Sequence, residues 1–185
     1  MANLKTDKVP SWAVGVVVVA GVLAFIGGGI FVYTKIKKAV DKKKEENEGK
    51  EVTNDAKTEL RNLLNSGVRL SNPESVYSST ANLIAQKLDG CETFTTELEV
   101  INTILKVVKN RADWLKLVAD FGVRDIDNCG IGTGSTKYDL PTLLKDQLDS
   151  KTILIYEKVG SGTYNGLYQT YTLLTTELSK KGITI

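Results

Sequence analysis

The run Trp12–Tyr33, WAVGVVVVAGVLAFIGGGIFVY, constrains this chain more than any other stretch, because no charged side chain lies between Lys8 and Lys35. At about 1.5 Å rise per residue, a helix over this run covers about 33 Å, enough for a hydrocarbon core of about 30 Å. Twelve of its residues are Val, Leu, Ile or Phe. At about −0.3 to −0.6 kcal/mol each they contribute on the order of −4 to −7 kcal/mol to insertion before the glycines subtract. Trp12 and Tyr33 sit at the two edges, where amphipathic rings prefer the headgroup level. A cleaved signal would have a shorter apolar region of about 7–15 residues and a small-residue cleavage site. A buried core helix would seldom lack a polar side for so long and then meet six lysines between Lys35 and Lys44. The run therefore predicts one transmembrane helix over 12–33, preceded by a polar tail over 1–11.

The flanks predict its orientation. The tail carries Lys5 and Lys8 against Asp7, whereas Lys35, Lys37, Lys38, Lys42, Lys43 and Lys44 follow the run against Asp41 alone. The excess of lysine places the C-terminal side in the cytoplasm, or in whatever compartment derives from it, and the N-terminus outside. These six lysines fall where anionic lipid headgroups would be, at about 1 kcal/mol each close to the surface. Within the run, Ala20, Ala24 and Gly28 form a small-xxx-small stripe through which a second copy of the helix could pack, giving a homo-oligomer.

Residues 34–50 read as a charged juxtamembrane stalk, an exposed helix that frays near Asn47 and Gly49. Residues 51–185 are long enough for one small soluble domain. Charge is split between the two. Residues 35–50 hold seven lysines and four acids, while 51–185 hold 15 basic and 17 acidic residues. The domain lacks the basic surplus of a nucleic-acid binder, so nucleic acid is not expected as a partner. The chain has no histidine, which excludes Ser-His-Asp and Cys-His catalysis and histidine-ligated metal. Its two cysteines, Cys91 and Cys129, follow neither a C-x-x-C nor a zinc-ligand spacing and, on the reducing side, are expected as free thiols.

Apolar residues in 51–185 recur at helical spacing between clear stops. Asn54 predicts a cap for a helix through Ala56, Leu60, Leu63 and Leu64 that stops at Gly67. Asn72-Pro73 predicts an N-cap and N1 proline for a helix through Val76, Leu83, Ile84 and Leu88, ended by Gly90. A third helix starts near Thr95 or Thr96, buries Leu98, Ile101, Leu105 and Val108, and finishes at Asn110. RADWLKLVADF makes a fourth that ends at Gly122. VRDIDNCGIGTGSTKYD reads as a loop, after which Asp139 caps a helix opening Leu140-Pro141. KTILIYEKV (151–159) suits a strand by its β-branched content but shows no evident partner strand. Gly160–Asn165 reads as a turn and Leu167–Lys180 as a last helix. The sum is an all-α fold: one N-terminal transmembrane helix, a stalk, and a small domain of five or six short helices.

Two constellations invite chemistry. Asp125, Asp127 and Gly130 match the first, third and sixth positions of a calcium loop, but Cys129 stands at the fifth and Thr136 where the twelfth requires an acid. Gly130-x-Gly132-x-Gly134 is too poor a match for a dinucleotide fingerprint, with no preceding strand and no G-x-x-x-x-G-K-[ST] either. Glu97 and Glu99 form a carboxylate pair of the kind glycosidases use, yet residues two apart on a helix do not share a face. No catalytic, cofactor or metal residue is assigned, and the protein is expected not to be an enzyme.

Leu83–Leu148 resembles an annexin-like repeat. The turn Leu88-Asp89-Gly90-Cys91-Glu92-Thr93 is followed by VINTILKVVKN, ADWLKLVADFG and YDLPTLLKDQLDS, in the helical order of that family. The family's calcium loop is similar to G-x-G-T with a distant acid, and here only Gly90 matches, so calcium-dependent lipid binding is not carried over. DWLKL-x-x-x-FG-x-R-D with a later YDL also resembles small helical domains of Bacteroidetes proteins and of their bacteriophages with an internal lipid membrane. That resemblance implies a minor virion membrane protein linking lipid to capsid or vertex proteins. The function expected is accordingly a non-enzymatic, single-pass membrane-anchored tether. The alternative is a cellular membrane-bound adaptor or lipid-binding module, with a divalent ion at Asp125 and Asp127.

Overall fold

The computed structural model describes residues 29–89, 95–127 and 134–185, with the backbone alone described over 29–46 and at 95–96. The chain divides into two compact units, Met1–Lys44 and Glu45–Ile185. In the first, the described residues are the opening turns of helix α1 (Gly29–Asn65). The second contains the rest of α1, then α2 (Glu74–Leu88), α3 (Thr95–Val107), α4 (Arg111–Phe121), β1 (Arg124–Asp127), β2 (Ser135–Tyr138), α5 (Leu140–Asp149), β3 (Thr152–Ile155), β4 (Lys158–Val159), β5 (Gly162–Thr163), β6 (Gly166–Gln169) and α6 (Thr170–Ser179).

The expectation of an all-α chain with a transmembrane helix is corrected on both counts. Six short strands stand among the described helices, paired as three two-stranded antiparallel sheets. No helix among the described residues is long and apolar enough to cross a membrane. The physical reason lies in what α1 contains. Its described residues hold Gly29–Tyr33 of the apolar run and continue through KIKKAVDKKKEENEGK, so the composition of the described helix is a charged one. Residues 12–28 lie outside the described residues.

Nor does α1 fray at Asn47 and Gly49 or restart at Asn54. It runs unbroken to Asn65 because this part of it has a buried face at Gly49, Thr53, Ala56 and Leu60. Gly49 is a point of close approach, since a Cβ there would lie 3.3 Å from Val123 Cγ2 and 3.4 Å from Asp139 Oδ2. The stop at Gly67 holds: its φ of +94° suits glycine after the last turn.

Helices α2, α3 and α4 form the centre of the core. Tyr77, Ala81 and Ile84 of α2 meet Ile101 and Ile104 of α3 and Leu117 of α4 in one cluster, all fully buried. Each such aliphatic side chain contributes roughly 1.5–3 kcal/mol by leaving water. Leu140, Leu143, Leu144 and Leu148 of α5 and Leu173, Leu174 and Leu178 of α6 extend the same cluster.

The ends of these helices follow capping chemistry. Asn110 accepts from the Asp113 backbone N–H at 3.0 Å while Asp113 accepts from the Asn110 N–H at 3.2 Å, a capping box that starts α4. Asp139 accepts from the Thr142 N–H at 3.0 Å and starts α5, as expected. At α2 the expected cap fails. Pro73 occupies the N-cap position with no side-chain cap bond, and the Asn72 amide nitrogen donates to the Val107 carbonyl at 2.9 Å, closing the end of α3.

Candidate functional site

The loop expected over 123–139 contains the hairpin β1–β2, with Ile126 its buried residue opposite Thr136. KTILIYEKV does find a partner. Strand β3 pairs antiparallel with β6, Leu154 opposite Leu167 and Ile153 opposite Tyr168, and the small hairpin β4–β5 is nested between them. The expected last helix thus loses its first residues to a strand, and α6 begins at Thr170. Ile153 and Ile155 face the core. The opposite face of the sheet carries Leu154, 56% exposed, directly across from Leu167, 71% exposed, with Tyr156 just beyond the strand. Large apolar side chains paired in the open are the most unusual surface feature among the described residues.

Beside this patch, a groove of about 670 Å³ runs between β3 and α3. One wall is α3, whose Leu98, Asn102 and Lys106 fall on one helical face, and the other is Thr152, Ile153 and Leu154 of β3, while no β6 residue lines it. Among the described residues β3 pairs with β6 alone, and the groove lies along its other edge. The hydrogen-bond phase of that edge is fixed. The Thr170 N–H donates to the Lys151 carbonyl at 2.9 Å, so 151 with 170, 153 with 168 and 155 with 166 are the hydrogen-bonded pairs. In an antiparallel ladder the alternate residues, Thr152 and Leu154, then direct their N–H and C=O groups away from β6.

Three polar clusters brace the elements around the groove. Glu97, 2% exposed, takes an ion pair from Lys151 and so ties α3 to the start of β3, while its second carboxylate oxygen finds no partner among the described residues. Glu177, fully buried on α6, accepts from the Ser161 N–H at 2.8 Å, the Ser161 hydroxyl at 2.9 Å, the Tyr164 hydroxyl and Lys180, fastening the β4–β5 turn. Burial alone would raise its pKa, but hydrogen bonds from Lys180, Tyr164 and Ser161 outweigh it and hold the group at about 2. Gly160, φ +58°, opens that turn and leaves no room for a side chain, since a Cβ would come within 2.5 Å of Glu177 Oε2. Third, Lys181 donates to the Leu105 and Val108 carbonyls at the end of α3, with its pKa lowered by burial and by Lys109.

A further buried node lies away from the groove. Asp113 Oδ1 accepts from the Ser71 N–H at 2.8 Å and from the Tyr77 hydroxyl, and Oδ2 accepts from the Lys109 N–H at 2.9 Å. Burial opposes the charge, yet the donors from Ser71, Tyr77 and Lys109 leave the carboxyl below the usual range.

Of the residues singled out from the sequence, Trp12, Ala20, Ala24 and Gly28 lie outside the described residues, as do Cys91 and Cys129. Tyr33, Lys35, Lys37, Lys38, Lys42, Lys43 and Lys44 follow one another on α1, where the backbone alone is described. Asp125 and Asp127 share the exposed face of β1, and the Asp127 N–H donates to Asp89 at 2.7 Å. Among the described residues no three acidic or cysteine side chains come together as a metal site would need. Glu97 and Glu99 diverge: the first is buried on Lys151, the second is an exposed partner of Lys87 at 3.1 Å. The groove itself was missed in sequence. Its one signal was the run TILI, whose partner GLYQ lies on the far side of a nested hairpin.

No family model matches the chain, and neither the curated proteins nor the solved structures contain a significant match.

Proposed function

We propose that the protein is a non-enzymatic tether, in which the N-terminal part of the sequence associates with an anionic lipid bilayer and the domain Glu45–Ile185 engages a protein partner. The observation that carries this reading is the place where the chain divides. The first compact unit ends at Lys44, the last of the six clustered lysines, and the second begins at the next residue. Lipid-seeking chemistry and the packed core thus belong to separate units. The use of the buried carboxylates supports a structural role. Glu97, Asp113, Asp139 and Glu177 are each engaged in joining or capping elements, so the groups that a catalytic site would draw on serve the fold.

The test is co-flotation of the full-length chain with vesicles. Flotation with vesicles containing phosphatidylserine is expected, weakened when Lys35, Lys37, Lys38, Lys42, Lys43 and Lys44 are replaced by glutamine, since each lysine contributes about 1 kcal/mol near an anionic surface. A chain that stays at the bottom of the gradient with every vesicle composition refutes the reading. Calcium or a chelator is expected to leave flotation unchanged; a calcium requirement would favour the ion-dependent adaptor instead.

A further inference from the structure

From the free edge of β3 we infer the chemistry of the protein partner: an extended polypeptide segment that docks in the groove between β3 and α3 as a third strand of the β3–β6 sheet. This rests on the reading of the domain as the partner-binding end of a tether.

Three observations select this occupant. First, the N–H and C=O groups of Thr152 and Leu154 point away from β6 by the phase of the ladder, and among the described residues nothing else bonds to them. A row of donors and acceptors at strand spacing is satisfied by another extended backbone, the mode of recognition known as strand addition. Second, the surfaces on both sides of the edge are apolar at alternate positions. A residue docked opposite Leu154 would meet Leu154 and Tyr156 on the outer face, and one opposite Ile153 would lie over Leu98. The segment is therefore apolar at alternate residues, at the least. Third, α3 accompanies the edge in every copy of the chain. Two edges brought together would carry two α3 helices to one seam, whereas a lone extended segment enters with no helix of its own. A groove of about 670 Å³ suits such a segment better than a second domain. The two walls are tied to each other by the Lys151–Glu97 pair, and the end of α3 is held from its C-terminal side by Lys181 on the Leu105 and Val108 carbonyls.

The probe is an acetylated, fluorescently labelled hexapeptide of alternating threonine and valine, titrated against the full-length chain in detergent micelles. Its control is the same peptide with every valine N-methylated, which removes donors from one side of its backbone. Saturable binding is expected, at least tenfold weaker for the control, with amide exchange at Thr152 and Leu154 slowed at least tenfold on binding while Ile153 and Ile155 change little. Thr152→Pro removes one edge donor that β6 does not use, at a strand's first residue where proline is tolerated, and is expected to abolish binding. Leu154→Lys on the exposed face, which leaves the backbone intact, is expected to weaken it. The inference is overturned if the peptide does not bind, if the N-methylated control binds equally well, or if the two amides are already protected by self-association of the chain. Failure here leaves vesicle flotation untouched, and failure to float leaves peptide binding untouched, so the two readings fall separately.

Discussion

Replacing Glu177 by glutamine removes a charge from the most strongly perturbed carboxyl among the described residues while keeping its shape. In the folded chain the group sits at about 2 against an ordinary value of 4.5. A difference of that size corresponds to on the order of 3 kcal/mol, at about 1.4 kcal/mol per unit. The pKa is depressed, so the contribution is fully present above the unfolded value near 4.5 and is lost as pH falls towards 2. Glu177→Gln is expected to lower the unfolding free energy by about 3 kcal/mol at pH 7, and the gap to the parent should close to under about 1 kcal/mol by pH 2.5. Urea unfolding followed by tryptophan fluorescence, run from pH 7 to 2.5 on both chains, measures it. The other depressed carboxyls, Glu59 and Asp113, titrate in both proteins and cancel in the difference. A gap that stays constant across this range would mean that Gln fails by shape or hydrogen bonding, and would refute the charge argument.

Three further outcomes follow from the packing. Asp113→Ala strands donors at Ser71, Tyr77 and Lys109 and breaks the Asn110 capping box. It should cost about 3–5 kcal/mol in urea unfolding and speed amide exchange at Ser71 and Lys109. At Gly49, alanine is expected within about 1 kcal/mol of the parent, since gained helix propensity offsets a tight contact, whereas leucine should cost about 2 kcal/mol or more against Val123 and Asp139. Gly160→Ala meets both a left-handed backbone and the Glu177 carboxylate, and is expected to lower the melting temperature by more than alanine at the open Gly67 position does, by differential scanning fluorimetry.

The parts of the fold legible in the sequence were those set by local chemistry. Helical spacing over RADWLKLVADF, the stop at Gly122 and the Asp139 cap all depend on neighbours within four residues, and all three stand in the structure. Elements settled by distant partners were not legible. Asn72 has the form of a helix cap, but Pro73 holds the cap position and the Asn72 amide nitrogen donates to Val107, 35 residues on. Gly49 has the form of a helix breaker and instead lets α1 lie against Val123 and Asp139. TILI alternates correctly for a strand, yet its partner GLYQ is separated from it by a nested hairpin and continues directly into α6, whose pattern absorbed it. The groove was not legible because it forms where the β3 edge, free of a second partner among the described residues, runs beside α3, and both depend on contacts distant in sequence.

The central claim is that lipid attachment and the folded domain are separable halves of one tether. A site-specific protease sequence inserted between Lys44 and Glu45 allows the two to be parted on the vesicle surface. After cleavage of the vesicle-bound chain, refloating the vesicles should leave residues 45–185 at the bottom of the gradient, still cooperatively folded and still competent to bind the threonine–valine peptide, with residues 1–44 retained by the lipid. If residues 45–185 instead float with the vesicles after the cut, the domain itself holds the membrane and the tether account is wrong.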